Sequence, residues 1–364
     1  MTHKTLYVAS AGFEAARHVD VVPPGHRSRR LHGHSFVARV RCDPPEGWAR
    51  FPGGEVELLR ERVQSRIAQL DYRLLNERVA QPTDENLARW LGEGLDVPGI
   101  EQVGIQSAPH AGVDLDRDAS AHVWRRYAVQ AAHRLPNVPP GHKCGRMHGH
   151  GFEVVIHAKR SPDDGDLGID GDRLDALWEP IHAELDHACL NDLPGLQNPT
   201  SEMLASWLWN RLQPQLPELS WVTVFETASS AAIYDGRNYR IWKEMTLDSS
   251  LQLKRAPHAS ALRRIHGHTY TLRLHLSSPL DEVMGWTIDF GDVKEIFHPI
   301  FKAIDHQPLH AIADLRDCDS ASVAAWILQR ARSRLPQLDR VDLYETPGCG
   351  AIVSAGHEVP LPPV

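Results

Sequence analysis

The residues best suited to chemistry are three histidines and a cysteine in the middle third of the sequence. His148 and His150 are two residues apart, so on a β-strand their imidazoles would face the same side. His133 could add a third nitrogen from a neighbouring strand, and three histidines with an open fourth position are the ligand set of a catalytic zinc. Cys144 lies four residues before His148, close enough to act as a thiolate beside that metal.

The setting of Cys144 favours reactivity. Lys143, Arg146 and the expected metal would lower the pKa of its thiol. The other four cysteines have no basic neighbours of this kind, and we expect them to be buried side chains that only pack in the core. The odd count and scattered spacing argue against a disulfide framework and favour reduced thiols in a cytoplasmic setting.

Composition limits the class of protein. The chain has 364 residues, with 42% hydrophobic and 24% charged, which is ordinary for a soluble protein of two or three domains. The formal net charge of -8 and a pI of about 6.3 argue against a nucleic-acid-binding surface. No run approaches the roughly 18 apolar residues of a membrane span, so neither nucleic acid nor membrane is an expected partner.

The sequence contains one unit three times. The triplet His-Gly-His occurs at 32–34, 148–150 and 266–268, in steps of 116 and 118 residues. Three further markers follow each triplet in the same order: an aspartate closing a helix, a helical tryptophan, and the last residue of a late strand. They are Asp71, Asp186 and Asp305; Trp90, Trp207 and Trp326; and Ser107, Glu226 and Glu345. We therefore predict three repeats of about 120 residues, each of ordinary domain size, over 1–118, 119–238 and 239–364.

The middle repeat serves as the template for the fold. Alternating and helical apolar spacings predict strands at 127–132 and 150–158, a helix at 173–187, a second helix that starts within 198–202 and runs to about 212, and strands at 220–226 and 231–234. The order is ββααββ, an α+β unit with an antiparallel sheet and both helices on one of its faces.

The third repeat offers a second metal triad in His258, His266 and His268, with a shorter loop between the first two ligands. The position that matches Cys144 is Leu262, so the thiol is missing there. We expect this repeat to bind zinc without supplying the nucleophilic group.

The first repeat lacks both a metal ligand and the thiol of the middle repeat. It keeps His32 and His34, but Arg17 stands where the middle repeat has His133, and Ser28 where it has Cys144. A guanidinium stays protonated and cannot ligate a metal. The sequence thus predicts two zinc ions for each chain and not three.

Two Asp-His pairs are candidate proton-transfer groups. Asp186-His187 and Asp305-His306 each close the first helix of their repeat, and a carboxylate beside an imidazole is a usual pairing in general acid–base catalysis. The alternative is a histidine at a helix C-terminus, favoured by the helix dipole. The first repeat has Tyr72 at this position and cannot do the same chemistry near neutral pH.

A carboxylate ends a late strand in two repeats. Glu226 and Glu345 each follow an apolar run, where a carboxylate needs a partner. A cyclic ligand with two adjacent N–H donors would be one, and a salt bridge to a neighbouring repeat is the alternative. Ser107 replaces this carboxylate in the first repeat.

These motifs resemble the 6-pyruvoyltetrahydropterin synthase/6-carboxytetrahydropterin synthase family, which has the tunnelling fold (T-fold). The middle repeat is most similar to bacterial 6-carboxy-5,6,7,8-tetrahydropterin synthases. The segments that carry the resemblance are 131–136, 141–150, 185–192 and 198–202, together with the cysteine four residues before His148. The pyruvoyl branch has a longer gap at that point.

The resemblance implies roles for the residues already named. His133, His148 and His150 would hold Zn²⁺ on the side-chain hydroxyls of 7,8-dihydroneopterin triphosphate. Cys144 would be the general base, an Asp-His pair would relay protons, and Glu226 would anchor the pterin ring. The expected reaction is carbon–carbon cleavage with loss of acetaldehyde and triphosphate, which feeds queuosine and other deazapurines.

The resemblance also implies an assembly. Three units of this family close into one β-barrel with active sites between neighbours, so one chain here would be a pseudo-trimer, and two chains would stack as a homodimer. In this family the acid–base pair comes from the adjacent unit. Asp305 and His306 would complete the middle site, whereas Asp71 and Tyr72 would leave it without a histidine for proton transfer. We expect the first arrangement, because only that order gives one whole site. The alternatives are a 6-pyruvoyltetrahydropterin synthase and a non-catalytic pterin-binding protein.

Overall fold

Each repeat begins with a long antiparallel hairpin whose connecting loop leads to the His-Gly-His triplet. The computed structural model describes residues 3–160, 171–315 and 317–356. The hairpin strands are β1 (His3–Arg17) with β2 (His32–Cys42), β6 (Ala121–His133) with β7 (His148–Arg160), and β11 (Tyr239–Leu251) with β12 (His266–Ser277). The alternation of apolar and polar residues along them is typical of strands that cover a core with one face.

A shorter hairpin ends each repeat. Its strands are β4 (Ile100–Ala108) with β5 (Ala111–Asp116), β9 (Leu219–Thr227) with β10 (Ser230–Tyr234), and β13 (Leu338–Thr346) with β14 (Cys349–Ala355). Two-residue strands β3 (Arg73–Leu74) and β8 (Ala188–Cys189) add parallel pairs to β1 and β6. The predicted boundaries at 118 and 238 fall in the turns between β5 and β6 and between β10 and β11.

The sheet closes on itself. The twelve hairpin strands follow one another as β1-β2-β4-β5-β6-β7-β9-β10-β11-β12-β13-β14, and β14 then pairs with β1, from His3 opposite Ala355 to Val8 opposite Gly350. Closure leaves no long strand of this barrel with an unpaired edge. The predicted pseudo-trimeric antiparallel barrel is confirmed.

Two helices follow the long hairpin of each repeat. They are α1 (Glu55–Ile67) and α2 (Asp84–Glu93), α3 (Gly171–Leu185) and α4 (Ser201–Leu212), and α5 (Phe290–Ile304) and α6 (Ser320–Ala331). The second helix of each pair starts at a capping side chain, Thr83, Thr200 or Asp319, that accepts a hydrogen bond from the N–H three residues on. The helices pack on one face of the sheet, as predicted.

The two faces of each barrel strand differ in chemistry. On β7, Phe152 and Val154 are buried in the core shared with the helices. Glu153 and His157 alternate with them and line a cavity of about 280 Å³ between strands of the middle and third repeats. The helices thus cover an apolar face, whereas charged and aromatic side chains fill the opposite face.

A buried charge network lies on this second face. Arg340 donates to both carboxylate oxygens of Asp342, at 2.6 and 2.7 Å, and the Tyr344 hydroxyl donates to the same carboxylate at 3.2 Å. Asp342 is fully buried. Burial raises its pKa, but the neighbouring Arg340 and His275 outweigh burial and hold that pKa well below its ordinary value.

We expect Asp342→Ala to destabilise the protein by about 3–5 kcal/mol, because the buried Arg340 guanidinium would lose the carboxylate that neutralises it. Urea unfolding at neutral pH measures the change. The matched control is Asp314→Ala, which removes an exposed ion pair with Arg330 and should cost at most about 1 kcal/mol. Equal effects of the two substitutions would show that the buried network contributes little.

Candidate active site

The middle repeat brings its three histidines together through strand register. His133 ends β6 directly opposite His148, the first residue of β7, and His150 lies two residues further on the same face. The ring centroids of His133 and His148 are 4.5 Å apart, and those of His148 and His150 are 5.0 Å apart. The loop between the strands, residues 134–147, contains Cys144, which is close enough to Glu226 for that carboxylate to act on its thiol.

Backbone carbonyls fix the orientation of two of the rings. Nδ1 of His133 lies 2.9 Å from the carbonyl oxygen of Pro199, and Nδ1 of His148 lies 2.8 Å from that of Arg146. A carbonyl only accepts, so each Nδ1 carries the proton and each Nε2 has its lone pair available. Burial lowers the pKa of His133, which keeps this imidazole neutral, the form that binds a metal.

The cluster fits a metal ion. Ligand atoms of His133, His148, His150 and Glu226 all lie within 4.8 Å of one another, and in the described parts of the chain this is the only such group of His, Cys, Asp or Glu. Nε2 of His133 is buried and has no hydrogen-bond partner. A buried polar atom of that kind needs a partner, and three imidazoles with a carboxylate are ligands that Zn²⁺ accepts. We call this cluster, with Cys144, site two.

Glu226 lies closer to the histidines than its predicted role as a ligand anchor requires. Its Oε1 is 3.3 Å from Nε2 of His150, and its Oε2 accepts a 2.9 Å hydrogen bond from the Ser201 hydroxyl. Burial raises the pKa of Glu226, yet His150 and Ser201 together hold it below its ordinary value. The carboxylate is therefore anionic and available to a cation or to N–H donors.

Cys144 differs from its sequence-based prediction in one respect. It sits in a single helical turn, Lys143–Gly145, where its N–H donates to Nδ1 of His142 at 3.2 Å. Burial and the negative charge of Glu226 raise the pKa of the thiol, and Lys143 offsets only part of that rise. The prediction that basic neighbours lower the pKa of Cys144 is therefore wrong for the protein side chains alone. Glu226 is distant from Cys144 in sequence but close to it in space, and its negative charge raises that pKa.

The third repeat covers site two. Asn137 donates to the carbonyl of Val283 at 2.6 Å, and Asn198 donates to that of Met284 at 2.7 Å. Asp289, which caps α5, lies 3.7 Å from Nε2 of His142. These contacts agree with the expectation that the middle site has the third repeat as its neighbour, and they favour Asp305 and His306 over Asp71 and Tyr72 as the groups near it.

The Asp-His pairs are held in an unusual backbone conformation. His187 and His306 have φ values of 58° and 54°, in the left-handed region that non-glycine residues rarely adopt. Their N–H groups donate to carbonyls of the first strand of their repeat, at Gln130 and Asp248, with lengths of 2.6 Å. Tyr72 of the first repeat has the same conformation, with a φ of 54° and a 2.6 Å bond from its N–H to the carbonyl of Glu14, so the strained turn belongs to the repeated fold.

Each imidazole of these pairs faces solvent while its aspartate binds the sheet. Nδ1 of His306 lies 2.9 Å from Asp305, whose carboxylate raises the pKa of that histidine. Nδ1 of His187 lies 2.8 Å from Asp186 in the same way. The predicted pairing is present in both repeats, and the exposed rings are free to reach a ligand.

A lysine that the sequence analysis missed also borders site two. Lys243 on β11 donates to the hydroxyls of Ser229 and Ser230, at 3.0 and 2.8 Å. Burial and the positive charges of Lys294 and Lys143 lower its pKa, while Glu226 acts in the opposite direction. Only the pairing of β10 with β11 brings it here, so no local pattern in the sequence could have identified it.

Glu202 is a second residue that the sequence did not single out as chemical. It is fully buried at the start of α4, where its Oε1 accepts hydrogen bonds from the N–H and hydroxyl of Thr287, at 2.9 and 3.2 Å. Burial raises its pKa from 4.5 to about 7. The carboxyl group thus joins the middle and third repeats and binds its proton more tightly than in the unfolded chain.

This shift predicts a pH dependence of stability. Between pH 4.5 and 7 the native state retains a proton that the unfolded chain has released, so stability falls as the pH rises. Glu202→Gln keeps the acceptor oxygen and removes the titration. We expect wild type to lose about 2–3 kcal/mol relative to this variant between those pH values, as measured by urea unfolding. Glu179→Gln, at an exposed position of α3, should behave as wild type; an identical pH profile for Glu202→Gln would contradict the raised pKa.

The third repeat does not assemble the predicted triad. Fourteen residues separate β11 from β12, as in the other two hairpins, and Leu251 stands opposite His266 where His133 stands opposite His148. His258 lies within the loop, and the described residues hold no metal-binding group with His266 and His268. The prediction of a second zinc site is wrong, because the loop was taken as shorter than it is and an aliphatic residue occupies the ligand position.

The third repeat nevertheless keeps the carboxylate of the late strand. The Ser320 hydroxyl donates to Glu345 at 2.9 Å, as Ser201 does to Glu226. Burial raises the pKa of Glu345, and Arg60 of the first repeat acts against that rise. The pocket of the third repeat therefore faces the first repeat, which shows that each pocket lies between consecutive units of the ring.

In the first repeat an arginine occupies the metal-ligand position. Arg17 stands opposite His32, as the sequence predicted. Its Nη1 donates to Asp84 at 2.6 Å, and its Nη2 lies 3.3 Å from Nε2 of His34. Burial and the adjacent guanidinium lower the pKa of His34 to about 4, so this imidazole is neutral. We call the pocket around Arg17, Asp84 and Ser107 site one.

Comparison with known proteins identifies the same unit three times. A family model described as 6-pyruvoyl tetrahydropterin synthase matches residues 6–107, 122–237 and 240–356. The 6-carboxy-5,6,7,8-tetrahydropterin synthase of Synechocystis sp. is 35% identical over 119 residues, which are 31% of this chain and 91% of that protein. A dihydroneopterin monophosphate aldolase of Pyrococcus furiosus is 31% identical over 84 residues, 22% of this chain and 70% of its own.

Among solved structures, the 6-pyruvoyl tetrahydropterin synthase of Caenorhabditis elegans is 18% identical, with a TM-score of 0.30 over 32% of this chain and 95% of that one. None of the helices in the described parts of the chain has the length and apolar character that a membrane crossing requires.

Proposed function

Because the chain belongs to the 6-pyruvoyl tetrahydropterin synthase family, we propose that it is a zinc-dependent lyase of the 6-carboxytetrahydropterin synthase type. Its substrates would be 7,8-dihydroneopterin triphosphate and one water molecule, and its products 6-carboxy-5,6,7,8-tetrahydropterin, acetaldehyde and triphosphate. The observation that carries the proposal is site two, where the ligand atoms of three histidines and Glu226 cluster and the Cys144 thiol is near that carboxylate. The chain would then have one working site, in the middle repeat.

The three histidines and Cys144 would have separate roles in the reaction. His133, His148 and His150 would hold zinc, which would polarise the side-chain hydroxyls of the substrate and favour loss of their protons. Cys144 would take a proton from the substrate side chain as general base. Its raised pKa means that it needs a nearby cation to reach the thiolate form at neutral pH.

Glu226 and the Asp305-His306 pair would serve the two ends of the substrate. The anionic Glu226 carboxylate would accept hydrogen bonds from adjacent N–H groups of the pterin ring, with Ser201 fixing one of its oxygens. His306, whose pKa is raised by Asp305, holds a proton at neutral pH more readily than an ordinary histidine and would donate it during cleavage. Asp186 and His187 would then belong to the pocket of the first repeat.

The spacing of Cys144 favours the carboxy branch over the pyruvoyl branch, and so does the 35% identity to a 6-carboxy-5,6,7,8-tetrahydropterin synthase. The two reactions differ in product. We further propose that two barrels stack as a homodimer in solution, which sedimentation equilibrium measures directly.

The deciding experiment is to incubate the zinc-loaded full chain with 7,8-dihydroneopterin triphosphate, to identify the pterin by mass, and to assay acetaldehyde. 6-Carboxytetrahydropterin with acetaldehyde supports the proposal. A pyruvoyl product without acetaldehyde would assign the chain to the other branch. Binding without turnover would make it a pterin-binding protein, and 7,8-dihydroneopterin monophosphate in a parallel assay tests the chemistry that the Pyrococcus relative's name describes.

A further inference from the structure

Site one is a large cavity between the first and middle repeats. Its volume is about 720 Å³, within the range of pockets that hold nucleotide-sized ligands. Arg17 forms part of its wall with only 7% of the residue exposed. Nε of Arg17 is buried and has no hydrogen-bond partner. The pocket thus has space for a ligand and keeps His32 and His34, but Arg17 and Ser107 replace the third histidine and the glutamate of the metal cluster in site two.

The charge of this pocket is positive without any metal. Five arginines line it against three carboxylates, which leaves two net positive charges when the histidines are neutral. The arginines are Arg17, Arg27, Arg30, Arg125 and Arg160, and the carboxylates are Asp84, Glu85 and Asp172. Site two has Lys243 and Lys143 at its border, and its proposed zinc would add further positive charge. The positive groups of site one are guanidinium groups, which bind oxyanions through paired N–H donors. Four of the five are ion-paired: Arg17 with Asp84, Arg27 with Asp172, Arg160 with Glu85, and Arg125 with Asp175, which lies outside the pocket lining.

Site one lacks a free carboxylate that could accept hydrogen bonds from the N–H groups of a ring. In site two, Ser201 on the helix donates to Glu226 on the strand. In site one the pair is exchanged: Ser107 on the strand donates to Asp84 on the helix at 2.5 Å. The other oxygen of Asp84 is bound by Arg17, so neither oxygen is left as an anchor.

We propose that site one is a metal-independent binding site for the phosphate chain of a phosphorylated small molecule. Phosphate oxygens offer only acceptors, which complements a wall of guanidinium donors with no available carboxylate anchor. The inference stands independently of turnover at site two, because the two pockets lie between different pairs of repeats.

The competing explanation is that site one binds no ligand and that the ion pair of Arg17 with Asp84 only stabilises the fold there. The third repeat provides a matched comparison, since the same two positions hold Leu251 and Ser320 there. The double variant Arg17→Leu with Asp84→Ser therefore introduces residues that this fold already accommodates at equivalent positions. It removes the ion pair as a unit, so that no buried charge is left uncompensated.

The test is calorimetric titration of the EDTA-treated full chain with inorganic triphosphate and, separately, with a nucleoside triphosphate. We expect wild type to bind one equivalent, and the double variant to bind at least about tenfold more weakly. Arg27→Ala, at an exposed position of the wall, should weaken binding with no risk to folding, while Arg62→Ala on α1 should have no effect. Turnover at site two should be unchanged in all three variants.

The two titrants separate the sources of the phosphate chain. Equal affinities would show that the phosphate chain alone is recognised, and tighter binding of the nucleotide would show that the rest of the cavity also makes contacts. Failure of wild type to bind either titrant, or binding that the double variant leaves unchanged, would overturn the proposal.

Discussion

Replacing Cys144 by alanine is expected to reduce turnover of 7,8-dihydroneopterin triphosphate by about 10²- to 10⁴-fold, the usual contribution of a general base. The zinc content should stay at the wild-type value, because the proposed zinc ligands are His133, His148 and His150 and do not include Cys144. The assay is release of acetaldehyde from the zinc-loaded chain, with metal analysis of the same preparation.

Cys189→Ala is the matched control for this experiment. Cys189 is half-buried on β8 in the same repeat, with its Sγ 3.9 Å from Asn191, and it is not part of site two. It should retain wild-type turnover. If Cys144→Ala also kept turnover within a few-fold of wild type, the thiol would have no part in the chemistry, and another group of site two would have to act as the general base.

The second large effect concerns metal content. His148, His32 and His266 are the first residues of equivalent strands, each at the end of a fourteen-residue loop. We expect His148→Ala to remove the bound zinc and to abolish turnover, because it takes away one ligand of a compact cluster. His32→Ala and His266→Ala should leave both unchanged, since Arg17 and Leu251 stand opposite those residues.

Metal analysis of the four proteins decides this prediction. Wild type should hold one equivalent of zinc for each chain and His148→Ala none. A wild-type value of two, falling to one in His266→Ala, would restore the zinc site first predicted for the third repeat.

The architecture was predictable because its signals are periodic and repeated. The His-Gly-His triplets, the helical spacing and the capped second helix recur three times, and the ring of three ββααββ units follows from them. The middle triad was predictable for a similar reason, since His148 and His150 must face one side of a strand and His133 ends the strand beside it.

The errors have a common physical origin in strand register and long-range contact. The triad with His258 assumes a shorter loop in the third repeat, whereas pairing across the hairpin places Leu251 at the ligand position. The raised pKa of Cys144 depends on Glu226, which is far away in sequence. Lys243 reaches site two from the next repeat, through a strand pairing that no local pattern reveals.

Closure of the barrel by β14 and β1 has a consequence for how such a protein can change. In a ring of identical subunits, every substitution is repeated at each interface, so all pockets gain or lose a group together. One continuous polypeptide removes that constraint: histidine, arginine and leucine can occupy the same structural position at 133, 17 and 251. Joining the ring covalently thereby allows a single molecule to combine differently specialised pockets on one rigid frame.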